Sequence, residues 1–403
     1  MTSIYNSGIS LPGSAPRAAT GMRPGERAGV LSRLDTPLLL AVLALVTLGL
    51  VMVTSASMPM ADRMMGNPWH YFTRQSIYLL LALVAAFLTL QLPLRLWERS
   101  GYVLMGLALL MLLLVLVPGV GKTVNGSTRW IDLGLFQLQV SEPARLFLLI
   151  YLAGYLVRQH AELRVGIGAF LRPMLVLSLA VSLLLMQPDF GAAAVLVAAA
   201  LIMFYLAGVR LGYFVLLFSG SLAAMLFLVW SSPYRMARFT GFLNPWADPF
   251  NSGFQLTQSL MAIGSGQWLG AGLGASMQKM FYLPEAHTDF LFAIIAEELG
   301  LVGSVTIIAL YAVVVWRMLV IAGEAATAGR WFAAYLVYGL GAWMGLQVFV
   351  NIGVNMGLLP TKGLTLPLMS YGGSSLLVMA VVVAIVLRVA IEVRAPGARG
   401  GVA

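Results

Sequence analysis

The sequence has no cysteine, only three histidines and few charges: Asp, Glu, Lys and Arg together make up 10% of its 403 residues. The lack of cysteine excludes disulfides, thiolate metal sites and a cysteine nucleophile. His70, His160 and His287 are not spaced as zinc ligands. A mean hydropathy of +0.91 and long runs of Leu, Val and Ala exclude a soluble multidomain protein.

Apolar residues dominate instead, at 60% of the chain with a mean hydropathy of +0.91. Because each membrane-spanning helix needs about 20 mostly apolar residues, the runs of Leu, Val and Ala predict an all-α polytopic membrane protein. We expect about ten transmembrane helices, with a large outer loop between helices seven and eight. The predicted spans are Pro37–Ser55, Tyr71–Leu92, Gly101–Val117, Pro143–Val157, Leu171–Met186, Phe190–Val209, Tyr213–Trp230, Leu299–Trp316, Trp331–Val354 and Ser374–Leu387.

The net charge of +9 comes from basic residues scattered between apolar segments, so the positive-inside rule explains it better than nucleic-acid binding does. The rule places both termini in the cytoplasm. We expect a disordered cytoplasmic tail over residues 1–33, a membrane domain over 34–390 that includes a large periplasmic loop over 231–289, and a cytoplasmic tail over 391–403. Some basic residues lie against the rule, on the outer side, and need another reason to be there: Arg63, Arg74, Lys122, Arg129, Arg145, Arg235, Arg238, Lys279 and Lys362.

Three predicted outer segments are long or rich in Gly, Pro and polar residues, namely Pro118–Glu142, Ser231–Asp289 and Gly357–Gly373. Function is therefore expected on the outer face. The first segment contains Gly-x-Gly-Lys-Thr but lacks the spacing of a phosphate-binding loop. Lys122 and Arg129 could still meet an anion there, with a solvated turn as the alternative.

Charges also flank two predicted spans. Glu142 and Arg145 share one helix face, either as an ion pair at the bilayer edge or as the mark of a polar cavity between helices. Asp189 precedes an apolar run and is expected to cap the sixth helix.

The stretch from Phe281 to Phe290 concentrates three ionisable residues, Glu285, His287 and Asp289, before another apolar run. A helix from Asp289 to Trp316 would be about 42 Å long, against about 30 Å of hydrocarbon. We therefore expect its first turns outside the acyl region and Glu297 and Glu298 near the interface. Asp289 is either a helix cap or a functional carboxylate.

The last outer segment interrupts apolar sequence with Pro, Gly and Asn, and Lys362 is its only charge. Irregular backbone at membrane depth is tolerated where it lines a cavity or is buried in protein.

Four motifs together resemble the SEDS family of bacterial cell-wall proteins, over about Asp35 to Arg388. They are Gln187-Pro-Asp-Phe-Gly191, Pro284-Glu-Ala-His-Thr-Asp-Phe290, Ala296-Glu-Glu-Leu-Gly300 and the segment from Gly353 to Ser375. Within the family, Pro284-Glu-Ala-His-Thr-Asp289 and the segment from Asn244 to Gly253 look more like the division branch than the elongation branch.

The resemblance implies a ten-helix peptidoglycan glycosyltransferase of the bacterial cytoplasmic (inner) membrane. Such enzymes polymerise lipid II, an undecaprenyl diphosphate-linked disaccharide peptide, with a class B penicillin-binding transpeptidase and, at the septum, other division proteins. By resemblance the catalytic carboxylate falls on Asp289. We expect substrate contacts at Lys122, Arg129, Glu142, Arg145, His287, Thr288 and Lys362. No cofactor is evident, although Mg²⁺ or Mn²⁺ could bridge the lipid diphosphate without a carboxylate cage.

The sequence also leaves other functions open. A lipid II flippase would also need a polar cavity, but the hydropathy shows no inverted repeat of the kind common in transporters. A scaffold that only recruits the transpeptidase, and the elongation-type polymerase, are further alternatives.

Overall fold

The computed structural model describes residues 33–124, 126–132, 134, 137–163, 167–251, 253–280, 282–360 and 363–395. The predicted tails therefore lie largely outside the described residues, and so does Lys362. The last helix ends at Val393, three residues past the predicted end of the membrane domain.

The described chain is mainly helical. In chain order the helices are α1 (Thr36–Met65), α2 (His70–Gln91), α3 (Leu94–Leu114), α4 (Ser141–Arg158), α5 (His160–Leu163), α6 (Ile167–Met186), α7 (Phe190–Leu206), α8 (Leu211–Trp230), α9 (Pro233–Leu243), α10 (Phe254–Ser265), α11 (Leu291–Thr327), α12 (Trp331–Asn355) and α13 (Gly373–Val393). Each predicted span overlaps one of them.

Seven of the described helices are long and apolar enough to cross a membrane: α1, α2, α3, α6, α11, α12 and α13. Helix α7 and most of α8 form shorter apolar helices. The chain is a multi-pass membrane protein, and the count of ten spans stays a prediction.

Burial separates the helices into a centre and a rim. Within their most apolar windows, α12 and α13 are 67% buried in protein, whereas α2 and α3 are 17% buried. Helix α4 is buried along almost its whole length. Helices α4, α12 and α13 therefore form the centre of the bundle, while α2 and α3 expose apolar side chains such as Phe87 and Val103, as lipid-facing helices do.

A small antiparallel sheet adds to the predicted all-helical fold. Its strands β1 (Gly121–Val124), β2 (Ser127–Asp132) and β3 (Gln137–Gln139) pair in the order β1-β2-β3. The hydroxyl of Ser374 accepts the N–H of Gln139 at 2.9 Å and donates to the carbonyl of Gln137 at 2.8 Å. These bonds fix the sheet to the start of α13.

Helix α11 breaks at Gly300, where φ is 66° and ψ is −161°. The single helix predicted from Asp289 to Trp316, about 42 Å long, is therefore interrupted: a short helix ends at Leu299 and a long one follows. A Cβ atom on Gly300 would lie 2.4 Å from the backbone nitrogen of Gly270, so only glycine fits here.

The loop after α10 satisfies the backbone groups that the break leaves open. After the break, Leu301 N–H donates to the Gln267 carbonyl (2.9 Å) and Val302 N–H donates to the Trp268 carbonyl (3.2 Å). Before the break, the Glu297 carbonyl accepts from the Ala271 N–H (2.9 Å) and the Glu298 carbonyl accepts from the Gly272 N–H (3.1 Å). Broken membrane helices are stable only with such partners.

The side chains of Glu297 and Glu298 are buried in the protein, and their position near the membrane interface stays a prediction. Glu298 accepts from Lys279 Nζ at 2.7 Å and from the Ser55 hydroxyl at 2.8 Å. Glu297 accepts from the Ser276 hydroxyl and from the Met277 N–H. Both carboxylates therefore connect the outer loop to the short helix, and the Lys279 amine pairs with Glu298.

Candidate functional site

Asp289 lies in a turn just before α11, half-buried. The N-cap position belongs to Phe290, which makes no side-chain capping bond, so Asp289 does not occupy it. Its carboxylate faces the backbone of Gly363, since a Cβ atom on Gly363 would lie 3.1 Å from Oδ2. The carboxylate is therefore placed between the loop before α11 and the segment after Lys362.

Two asparagine amides on α12 hold the backbone of Asp289. Its carbonyl accepts from Nδ2 of Asn351 at 2.9 Å and from Nδ2 of Asn355 at 3.0 Å. Asn351 also donates to the carbonyl of Leu364 at 2.6 Å. The Oδ1 atom of Asn355 accepts the N–H of Ala293, in the first turn of α11, at 3.1 Å. The two amides thus join three backbone segments at one point.

The neighbouring residues of this loop pair with the segment before α13. The carbonyl of His287 accepts from the Tyr371 N–H at 3.0 Å, and that of Thr288 accepts from the Ser370 hydroxyl at 2.6 Å. That hydroxyl in turn accepts the N–H of Leu366 at 2.9 Å. The backbone of the Asp289 loop is therefore bonded at three successive residues.

The side chain of His287 is buried between aromatic rings, with centroids 4.7 Å from Tyr71 and 5.5 Å from Tyr371. Burial lowers the pKa of His287, and the nearby Glu285 carboxylate only partly opposes this. The ring is consequently neutral at pH 7 and cannot attract a diphosphate by charge.

Thr288 points toward a different partner. Its hydroxyl donates to the Glu285 carboxylate at 2.7 Å and lies 3.1 Å from the Glu285 carbonyl. Glu285 is exposed and has a φ of 55°, in the left-handed region. Such a backbone conformation costs free energy in a residue other than glycine and is often kept at functional sites.

The predicted pair Glu142 and Arg145 exists and is buried at the start of α4, with both side chains at most 3% exposed. Arg145 donates to Glu142 and, through Nη1, to Oε1 of Gln347 at 3.0 Å. Its guanidinium lies 4.9 Å from the ring centroid of Trp343. Gln347 donates onward to the carbonyl of Thr365 at 3.0 Å, so the ion pair connects to the segment that faces Asp289.

The two basic residues of the sheet have different surroundings. Lys122 is half exposed and pairs with Asp132 at 3.3 Å. Arg129 is 18% exposed in its side chain, donates to the carbonyl of Pro188 at 2.8 Å and lies 3.6 Å from the Asp189 carboxylate. Asp189 caps α7 by accepting the N–H of Ala192 at 3.2 Å, which confirms that prediction.

Residues 36–395 match the model of the FtsW/RodA/SpoVE family, described as cell cycle proteins. The chain belongs to this family. The SEDS resemblance is thus confirmed.

Similar proteins agree with this family. The chain is 60% identical over 357 residues to a probable peptidoglycan glycosyltransferase FtsW of Thioalkalivibrio sulfidiphilus, covering 89% of each chain. It is 57% identical over 362 residues to the protein so named in Nitrosococcus halophilus, covering 90% of this chain and 93% of the relative. The FtsW names confirm the predicted similarity to the division branch.

Two solved structures have the same fold. One belongs to a peptidoglycan synthase complex that coordinates polymerization and crosslinking; its TM-score is 0.74 at 33% identity, over 90% of this chain and 98% of that one. The other is the rod shape determining protein RodA of Thermus thermophilus, with a TM-score of 0.67 at 31% identity over 90% and 98% of the two chains.

Within the family fold, the structure brings some predicted site residues together and leaves others apart. His287, Thr288 and Asp289 share one loop opposite Gly363. Glu142 and Arg145 are linked to that region through Gln347, while Lys122 and Arg129 belong to the sheet. Lys362 adjoins Gly363 but lies outside the described residues. The substrate-binding role of each of these residues stays a prediction.

Sequence reasoning gave no role to the amide side chains of α12. Gln347, Asn351 and Asn355 recur every four residues, which places them on one helix face. Three buried amides in line within an apolar helix are costly unless they are hydrogen-bonded. This four-residue spacing of amide side chains is the sequence feature that could have predicted their structural role.

Proposed function

We propose that this chain is a peptidoglycan glycosyltransferase that polymerises lipid II into glycan strands during septal cell-wall synthesis. The names of its FtsW relatives support the activity and its place in division. The observation that carries the site is the half-buried Asp289 carboxylate, whose backbone is held by two amides and which faces Gly363.

In this proposal Asp289 is the general base. The 4-hydroxyl of the acceptor sugar attacks the anomeric carbon of the donor, forming a C–O bond as the bond to undecaprenyl diphosphate breaks. The hydroxyl proton passes to the Asp289 carboxylate, and the leaving diphosphate takes the bonding electrons. A sugar hydroxyl is a weak acid, so a base positioned at its proton accelerates the attack.

The leaving diphosphate gains negative charge, which fixed cations stabilise. Lys122 and Arg129 expose part of their side chains on the outer sheet, and with Lys362 they are our proposed diphosphate contacts. The buried ion pair of Arg145 and Glu142 supports the segment that faces Asp289 through Gln347, while His287 and Thr288 shape the loop that presents Asp289.

The arrangement of possible metal ligands in the described residues gives little support for a permanently bound metal ion. Among the described residues, no three His, Cys, Asp or Glu side chains cluster as metal ligands would. We therefore propose that Mg²⁺ or Mn²⁺ enters with the diphosphate of lipid II rather than in a protein cage.

The likeness to one chain of a peptidoglycan synthase complex supports a transpeptidase partner, and the apolar helices together with the FtsW names of the relatives support the location. The chain works beside a class B penicillin-binding transpeptidase and other division proteins. It acts in the bacterial inner membrane at the septum, with the site on the periplasmic face.

The test is polymerisation of purified lipid II by the purified chain, with and without its cognate transpeptidase. We expect Asp289→Asn to fold and insert like the native chain while losing glycan synthesis. The matched control is Asp62→Asn, which changes an exposed carboxylate near the end of α1 and should leave the rate unchanged. Polymerisation by Asp289→Asn at the native rate would show that Asp289 is not the base.

The flippase alternative is tested in liposomes with fluorescent lipid II, scoring translocation and chain growth separately. Growth without dependence on translocation supports the enzyme. Translocation without growth contradicts it.

A further inference from the structure

The buried amides of α12 do more than fill the core. Gln347, Asn351 and Asn355 are each at most 2% exposed and lie one turn apart. Each donates to a backbone carbonyl of a non-helical segment: Gln347 to Thr365, Asn351 to Leu364 and Asp289, and Asn355 to Asp289. These donors satisfy irregular backbone that has no helical partner.

The two asparagines face Asp289 in different ways. Asn351 uses one NH₂ group for two carbonyls, those of Asp289 and Leu364, and its own Oδ1 has no hydrogen-bond partner among the residues that the structure describes. Asn355 uses both ends of its amide, donating to the Asp289 carbonyl and accepting from the Ala293 N–H. Asn351 therefore sets the separation of the two segments, and Asn355 sets the angle at which the loop enters α11.

We infer that Asn351 and Asn355 are positioning residues for the reaction, which fix the Asp289 carboxylate against Gly363. This inference rests on the proposed function. The amides bond to the main chain that carries the carboxylate and to the main chain that faces it. Gln347 extends the same row to Thr365 and joins it to Arg145.

The placement is tight enough for small movements to matter. A methyl group at Gly363 would lie 3.1 Å from Oδ2 of Asp289, closer than an ordinary van der Waals contact. A displacement of about 1 Å at a reacting group can cost about 10²-fold in rate. Positioning by a side chain outside the reacting atoms should change kcat and leave the KM for lipid II alone.

The experiment compares Asn351→Leu and Asn355→Leu with native protein in the lipid II polymerisation assay. Leucine keeps the approximate volume but removes the donor. We expect kcat to fall by about 10²-fold and KM to stay within about twofold. Amide hydrogen exchange should quicken in residues 285–293 for Asn355→Leu and in 363–370 for Asn351→Leu.

The matched control is Tyr155→Phe, which removes another buried side-chain bond to a carbonyl, the 2.6 Å contact with Ala169. Tyr155→Phe should lose thermal stability and keep the native kcat. If the asparagine variants lose activity only in proportion to their folded fraction, as a merely structural role predicts, the inference is overturned. A kcat within about threefold of native overturns it as well.

Gly363→Ala serves if the leucine variants do not fold. It leaves α12 intact and adds a methyl group beside the carboxylate; we expect at least a tenfold fall in kcat at unchanged KM, from the same sensitivity to position. Native kcat in Gly363→Ala would refute the tight placement. Failure of the native chain to polymerise lipid II would instead refute the proposed function, so the two failures are distinguishable.

Discussion

The buried pair Lys279–Glu298 should be among the most sensitive contacts of the outer loop. The Lys279 side chain is 4% exposed and that of Glu298 is fully buried, with 2.7 Å between Nζ and Oε1. Ser55 on α1 lies 2.8 Å from the carboxylate and 3.0 Å from the amine. The pair therefore joins α1, the outer loop and the short helix before Gly300.

Lys279→Met keeps most of the side-chain volume and removes the charge. The Glu298 carboxylate is then left with the Ser55 hydroxyl as its remaining side-chain partner in the described structure. Breaking a buried pair from one side costs about 3–5 kcal/mol, mainly because the other charge stays buried. The exposed pair Lys122–Asp132 is the control, since solvent screens an exposed ion pair and Lys122→Met should change stability little.

The assay is thermal unfolding of the purified protein in detergent at one fixed scan rate, because large proteins often unfold irreversibly. Lys279→Met should melt several degrees below native, and Lys122→Met close to it. The double variant Lys279→Met with Glu298→Gln should recover part of the loss, since no charge is left buried. The reasoning is refuted if Lys279→Met melts with the native protein, or if the double variant is less stable than the single one.

Two further predictions concern stability. Gly300→Ala should abolish the folded protein, because its Cβ atom would lie 2.4 Å from the Gly270 backbone and φ is 66°. The control is Gly264→Ala, which adds a methyl group in open space within α10 and should be neutral or stabilising by up to about 1 kcal/mol. The folded yield of each variant is measured by size-exclusion chromatography. Burial raises the pKa of Asp35, but Arg317 and Arg394 outweigh it and hold that pKa below 3.8. The stability that the ionised Asp35 carboxylate contributes is fully present above its unfolded-state pKa and is lost as the pH falls through its lower folded-state pKa. At pH values below about 4, the melting temperature of the native protein should therefore decrease, and that of Asp35→Asn should decrease less steeply.

The helices could be predicted because their signal is local. Apolar runs such as Trp331–Val354 and Ser374–Leu387 define spans by composition alone, and both correspond to helices of the structure. The sheet was not predicted because its short polar strands are defined by pairing with each other and with Ser374, far along the chain. Non-local pairing of that kind leaves little trace in local sequence.

The break in α11 was missed for a related reason. The sequence stays largely apolar from Leu291 to Val315, so hydropathy indicates one helix. The bonds that stabilise the break come from Gln267 and Trp268, more than thirty positions earlier in the chain, in a loop whose course the sequence does not reveal.

The candidate carboxylate was found because Asp289 is a polar residue between apolar segments and matches a family motif. Its support by Asn351 and Asn355 depends on α12 packing beside it.

The backbone is irregular at Gly300 and at Asp289, and its hydrogen-bonding groups find different kinds of partner at the two positions. This difference determines where a substitution can alter the position of the candidate base. At Gly300 the bonds across the break are made by backbone groups of the outer loop, so a side-chain substitution does not remove one of those bonds directly. At Asp289 the partners are amide side chains, so a single substitution can remove a bond without rebuilding the backbone. A general base must be placed to a fraction of an ångström. A loop held by replaceable amides gives that accuracy and also makes catalysis, rather than folding, the property most sensitive to Asn351 and Asn355.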